Sequence, residues 1–169
     1  FHRPSTEGVC QRPPAIPPQS PPTVPDAWRL PTALPCICTM PACAVGRGEQ
    51  VRGSLTGLRA VVLGASYRGK VKETAFSGVF PAVEALREAG AEVLVHDPMY
   101  TDEELAGFGW TPYHLGEQVD VAIVQADHPE YGELSAADLP GLRLLLDGRR
   151  ATDAAKWTGV PRLTIGGGE

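Results

Sequence analysis

The chain has 169 residues and carries 20 acidic against 15 basic side chains, a formal net charge of -5. That length holds one ordinary domain with a tail, and the acidic balance excludes a broad nucleic-acid footprint, which needs clustered positive charge. No apolar run nears the roughly 20 residues that span a bilayer, and the proline-rich N-terminus lacks the apolar core of a signal peptide, so a cytoplasmic protein without a membrane partner is expected.

Eleven of the 17 prolines fall between Pro4 and Pro41, with doublets at Pro13-Pro14, Pro17-Pro18 and Pro21-Pro22. Proline removes backbone donors and biases its predecessor to extended conformations, so neither a helix nor a central strand persists there. Residues 1–38 read as a disordered or polyproline-like tail. A ligand for proline-binding modules and a stretch translated from a wrong reading frame are the other readings of that segment. All four cysteines, Cys10, Cys36, Cys38 and Cys43, stand in this first quarter. Their spacing lacks the paired CxxC pattern of a structural zinc site, so reduced thiols and no metal are expected. Residues 39–54 read as a linker, and 55–169 as the globular domain.

From Leu55 onward apolar runs alternate with helical patterns. Arg59 to Gly64 is a buried-strand pattern rich in Val and Leu. A glycine-bearing, cationic loop follows, and then a helix from Ser77 to Gly90 with Val79, Phe80, Val83, Leu86 and Ala89 at helical spacing. Ser77 is its expected cap, Pro81 lies in the first turn, and Gly90 is its expected stop. Glu92 to His96 is the second strand. Thr101 opens a short helix to Ala106, with Asp102, Glu103 and Glu104 where the helix dipole favours acids. Val119 to Val124 is the third strand, Ser135 to Leu139 a helical turn and Leu142 to Leu146 the fourth strand. Ala151 to Trp157 is a brief helix, and Leu163 to Ile165 a last strand. Strands alternating with helices predict an α/β, Rossmann-like three-layer sandwich with a mainly parallel sheet.

The loop after the first strand, Gly64 to Gly78, sits where α/β folds place phosphate groups, and it carries Arg68, Lys70 and Lys72. Gly64-xxxx-Gly69-Lys70 matches most of a phosphate-binding loop, but Val71 stands where a magnesium-ligating hydroxyl belongs. The loop also departs from GxGxxG, because Ser66 occupies the second glycine position. Asp147-Gly148-Arg149-Arg150 follows the fourth strand, which places an arginine either at the ligand crevice or in a solvated turn. Asp97, before Pro98, lies too far beyond the glycines for a ribose-binding acid and reads as a turn or capping residue. His96, His114 and His128 show no metal-spaced pair, and no GxSxG elbow is present, so structural roles are expected.

Four segments together resemble the C-terminal domain of the UDP-glucose/GDP-mannose dehydrogenase family: Leu58 to Gly78, Gly90 to Pro98, Gln125 to Tyr131, and Leu146 to Arg149. Their order and spacing match. The resemblance implies a Rossmann-like domain that binds the nucleotide diphosphate of a UDP-sugar or other nucleotide-diphosphate sugar. It puts Tyr67 and Arg68, the aromatic-plus-cation pair after the first strand, and Arg149, of the Asp-Gly-Arg motif, at the substrate nucleotide. Ala75 stands where many members have arginine, in a run resembling a subgroup with a Lys-Glu-x-Ala-Phe-Ser-Gly version. The resemblance further implies an NAD-dependent 6-dehydrogenase that oxidises the sugar alcohol to a carboxylate for polysaccharide synthesis and forms homo-oligomers. The NAD domain and the catalytic cysteine motif of such an enzyme do not stand among these residues. The expectation is a chain with no catalytic residue and no bound cofactor of its own. The alternatives are a non-catalytic Rossmann-like interaction domain and a degenerate phosphate-loop protein.

Overall fold

The computed structural model describes residues 54–164. The expected tail, all of the expected linker but Ser54, and the four cysteines lie outside them.

Six strands, β1 (Arg59–Leu63), β2 (Glu92–His96), β3 (Thr111–Pro112), β4 (Val121–Val124), β5 (Leu144–Asp147) and β6 (Arg162–Thr164), form one sheet in the order β3-β2-β1-β4-β5-β6. Every pairing is parallel. The helices are α1 (Val79–Glu88), α2 (Asp102–Gly107) and α3 (Pro129–Glu133), and short 3-10 turns cover Ala136–Asp138 and Ala154–Trp157. The α/β, Rossmann-like architecture with a parallel sheet is as expected from the alternation of strand and helix patterns.

Strand residues alternate between two cores because successive side chains leave opposite faces of a sheet. Ala60, Val62, Val93, Val95, Val121, Ile123, Leu144 and Leu146 face Val79, Ala82, Val83 and Leu86 of α1, with Leu105 and Trp110. Val61, Leu63, Leu94, Ala122, Val124 and Leu145 face Tyr113, Tyr131, Leu134, Leu139 and Trp157. With both faces covered, the strands read as continuous apolar runs, which is why they stand out in the sequence.

Local signals set the ends of α1 and α2. Helix α1 starts two residues after the expected cap: Gly78 holds the N-cap position, while the Ser77 hydroxyl accepts the Val79 amide at 3.2 Å. It ends in a Schellman arrangement, with Gly90 N–H donating to Arg87 O and Ala91 N–H to Leu86 O. Thr101 and Glu104 form a reciprocal capping box on α2.

Two elements escape the sequence pattern. The edge strand β3 is two residues long and contains Pro112, so it has no apolar run. Helix α3 begins at Pro129, inside a segment with the look of a loop; proline suits the first helical position, where its missing N–H is not needed. The fourth expected strand starts two residues later than its apolar run and includes Asp147. The expected helix over 151–157 is a 3-10 turn from Ala154, capped by Asp153.

His114 joins the start of α2 to the segment after β3. Its ring nitrogens lie 2.9 Å from Glu117 Oε1 and 2.9 Å from Asp102 Oδ2. Those bonds, Glu117's first, raise the imidazole pKa above its ordinary value. A raised folded-state pKa adds stability that is fully present below the unfolded value of about 6.5 and is lost as pH rises through the folded value. His114→Gln is therefore expected to lower the melting temperature below about pH 6.5 and to match the parent at alkaline pH. The difference should shrink with salt, since the pair is solvent-exposed. Thermal melts across pH check both.

Candidate functional site

In a parallel sheet all carboxyl ends lie along one edge, and here they bring four segments together: Gly64 to Gly78 after β1, Asp97 after β2, Gln125 to His128 after β4, and Gly148 to Arg149 after β5. The sheet order departs in opposite directions from β1 and β4, and such a switch point is where open α/β sheets bind ligands.

The β1 loop is held from below. Asp97 is buried, and its Oδ2 accepts the Ala65 amide, the Ser66 amide and the Ser66 hydroxyl, each at 2.9 Å. Its Oδ1 accepts the Met99 amide at 2.9 Å, closing the Asp-Pro turn. The turn role expected for Asp97 is thus joined by a larger one, since it anchors the neighbouring loop. Further along, the Tyr67 amide donates to Glu73 O at 2.8 Å and the Ser77 hydroxyl to Ser66 O at 3.2 Å.

The β1 and β4 loops press together. A side chain at Gly64 would collide with Ala126, and one at Gly69 with the backbone of Asp127 and His128. The Gly69 amide donates to Asp127 Oδ1 at 2.9 Å. That bond, with the charge of Arg149 adding, holds the Asp127 carboxyl below the usual carboxylate range. This packing leaves the pattern unsuited to NAD. Ser66 occupies the place of a pyrophosphate-facing glycine, and its hydroxyl is turned inward to Asp97.

Arg149 spans the crevice. Its Nε donates to Gln125 O at 2.7 Å and one Nη to Tyr67 O at 2.9 Å. The arginine at the end of β5 is thereby tied to the ends of β4 and β1, and is more than a solvated turn residue. Tyr67 and Arg68 are exposed beside it, with the Arg68 guanidinium 5.5 Å from the centre of the Tyr67 ring. The three residues singled out from the sequence, Tyr67, Arg68 and Arg149, thus come together through the Arg149–Tyr67 bond and the Arg68–Tyr67 contact. Lys72 is engaged elsewhere: its Nζ lies 2.6 Å from Glu104 and 5.0 Å from the Tyr100 ring centre. Lys70 is exposed and adopts a left-handed backbone, φ 61°.

Sequence reasoning missed the buried partners behind this surface. His128 is buried, with Nε2 3.2 Å from Asp97 Oδ2 and Nδ1 3.5 Å from the Lys70 amide. Nothing local in Asp127-His128-Pro129 signals those contacts, which depend on β2 and β4 flanking β1. Among the described residues no cluster of three or more metal-ligating side chains occurs, and no helix is long and apolar enough to cross a membrane.

Comparison with known proteins gives the fold its relatives. A UDP-glucose dehydrogenase from the hyperthermophilic archaeon Pyrobaculum islandicum is 27% identical and superposes with a TM-score of 0.62 over 73% of this chain and 29% of its own. The UDP-N-acetyl-mannosamine dehydrogenase Cap5O from Staphylococcus aureus, 20% identical, matches in fold with a TM-score of 0.60 over 75% of this chain and 31% of its own. A UDP-D-ManNAc dehydrogenase from Pyrococcus horikoshii, 22% identical, matches in fold with a TM-score of 0.55, over 75% of this chain and 30% of its own. The chain thus spans less than a third of these proteins. Comparison with curated protein sequences gives no match. The model of the UDP binding domain of the UDP-glucose/GDP-mannose dehydrogenase family matches residues 61–154, more than half of the chain. The chain belongs to the UDP-glucose/GDP-mannose dehydrogenase family and carries its UDP binding domain.

Proposed function

We propose that this domain holds the nucleotide diphosphate of a nucleotide sugar, UDP foremost, for a 6-dehydrogenase that oxidises the sugar's primary alcohol to a carboxylate. The observation that carries the reading is the grouping of Arg149, Arg68 and Tyr67 where the ends of β1, β4 and β5 meet. Guanidinium groups give diphosphate oxygens charge-assisted, geometrically matched donors, and an exposed aromatic ring offers a stacking face. The family membership points to UDP as the nucleotide.

Oxidation of an alcohol to a carboxylate needs a hydride acceptor, which NAD supplies in such an enzyme. NAD, the thiol nucleophile and the catalytic step belong to parts beyond these residues, as the short span against the full-length relatives supports. Alone, the chain binds nucleotide and catalyses nothing, because hydride transfer requires cofactor, nucleophile and substrate to be positioned together. A cytoplasmic homo-oligomer making uronic acids for polysaccharides is the setting we infer.

A second reading, a protein-contact domain without a nucleotide site, draws on one observation. Phe76 is fully exposed in a left-handed backbone conformation, φ 60°, and Phe80 and Phe108 are also exposed. Calorimetric titration of the chain with UDP separates the two. Saturable binding that weakens with added salt is expected; no heat with UDP or GDP would favour the contact domain.

A further inference from the structure

We propose that Asp97 and His128 are positioning residues that hold Ala65 to Lys70 in the shape that presents Tyr67 and Arg68 to the ligand; this rests on the nucleotide-binding reading above. Both side chains are buried and neither reaches the surface where Tyr67, Arg68 and Arg149 lie. Asp97 gathers five donors: the amides of Ala65, Ser66 and Met99, the Ser66 hydroxyl, and His128 Nε2. A carboxylate offers only acceptor sites, so Nε2 of His128 carries the proton. Nδ1 of a neutral ring is then an acceptor, and it faces the amide of Lys70 through a long contact of 3.5 Å.

The pair brackets the ligand-facing residues. Asp97 fixes the backbone immediately before Tyr67, and His128 meets the backbone two residues after Arg68. Between these anchors, Gly69 is held by Asp127 Oδ1. The conformation so fixed is one a free chain avoids, since Lys70 sits at φ 61°. The arrangement accounts for two sequence departures at once. A serine at the second glycine position supplies a hydroxyl to Asp97, and an acid at the end of β2 anchors the loop from within. An ordered loop spares a ligand the entropy of ordering it, which is where affinity is gained.

The test uses the full chain and four variants: Asp97→Ala, Asp97→Asn, His128→Leu and His128→Asn. Two readouts are taken well below each melting temperature: UDP affinity by calorimetry, and backbone order of Tyr67 to Lys70 by 15N heteronuclear NOE without ligand. Asp97→Ala is expected to weaken UDP binding about tenfold, and Asp97→Asn less, because one amide oxygen still serves the loop donors. His128→Leu is expected to weaken it about threefold, with recovery in His128→Asn, whose oxygen can meet the Lys70 amide. NOE values at Tyr67 to Lys70 should fall in step. Should Asp97→Ala not fold, the other three decide. Lower melting temperatures with unchanged affinity and unchanged NOE values would reduce both residues to ordinary core groups and overturn the proposal. If the parent chain binds no UDP, the nucleotide reading fails on its own, and the NOE comparison still decides whether the pair orders the loop.

Discussion

Asp147→Ala is expected to destabilise the domain by about 3–5 kcal/mol, the cost of removing a buried carboxylate that serves five donors. Asp147 is fully buried at the end of β5. Its Oδ2 accepts Arg162 Nη2 at 2.9 Å, the Thr152 hydroxyl at 2.6 Å and the Thr152 amide at 2.9 Å. Its Oδ1 accepts the amides of Arg149 and Ala151, each at 3.1 Å. Removing the carboxylate leaves the Arg162 guanidinium with only Thr152 as partner, takes the acceptor from the Thr152, Ala151 and Arg149 amides, and loosens the segment carrying Arg149. Burial alone would raise the carboxyl's pKa, but the Thr152, Ala151 and Arg162 donors outweigh it and the group titrates below its ordinary value. A depressed folded-state pKa contributes stability above the unfolded value of about 3.9, and that stability is lost as pH falls through the folded value. Urea unfolding should therefore separate parent and variant most widely at pH 7, with the gap narrowing as pH falls below about 3.9. A loss under about 1 kcal/mol at pH 7 would contradict this account of β5, because several buried donors left without an acceptor cost more.

Arg149→Ala is expected to weaken UDP binding by about 10- to 100-fold, the range for losing hydrogen bonds to a charged group. The same change removes the donors to Gln125 O and Tyr67 O. Those carbonyls lie where water can reach them in part, so a stability loss of about 1–2 kcal/mol should accompany the affinity loss. Arg149→Lys keeps the charge but not the planar fork, and cannot serve both carbonyls and a phosphate. It should fall between parent and Ala in affinity and near Ala in stability. Calorimetry and thermal melts of the three proteins read both quantities. Unchanged affinity in Arg149→Ala would leave Arg149 as a clamp between loops and remove it from the ligand site.

The sheet was legible because a parallel sheet covered on both faces writes its strands as unbroken apolar runs, such as Ala60 to Leu63 and Leu144 to Leu146. Edge strand β3 left no such mark, since an edge of two residues including a proline needs little apolar character. Helix α3 was hidden because five residues are too few to display a helical period. At the site, Tyr67, Arg68 and Arg149 were visible from their positions after strands and from the family resemblance. The dual use of Arg149 was not, because its backbone acceptors at Gln125 and Tyr67 lie 24 and 82 residues away in sequence. The same holds for Asp97 and His128, whose 31-residue separation closes only when β2 and β4 flank β1. Lys72, one of the three cations of the β1 loop, is engaged by a carboxylate 32 residues away, the capping Glu104, which the loop's own sequence does not show.

The central claim is that a nucleotide diphosphate binds where the ends of β1, β4 and β5 meet. An NMR titration of the chain with UDP, GDP, NAD and magnesium ATP in parallel tests it most directly. The account predicts saturable amide shifts with UDP or GDP, centred on Tyr67, Arg68 and Arg149, and none of comparable size with NAD or magnesium ATP. Shifts with NAD or magnesium ATP alone, or a UDP response centred away from those three residues, would contradict it.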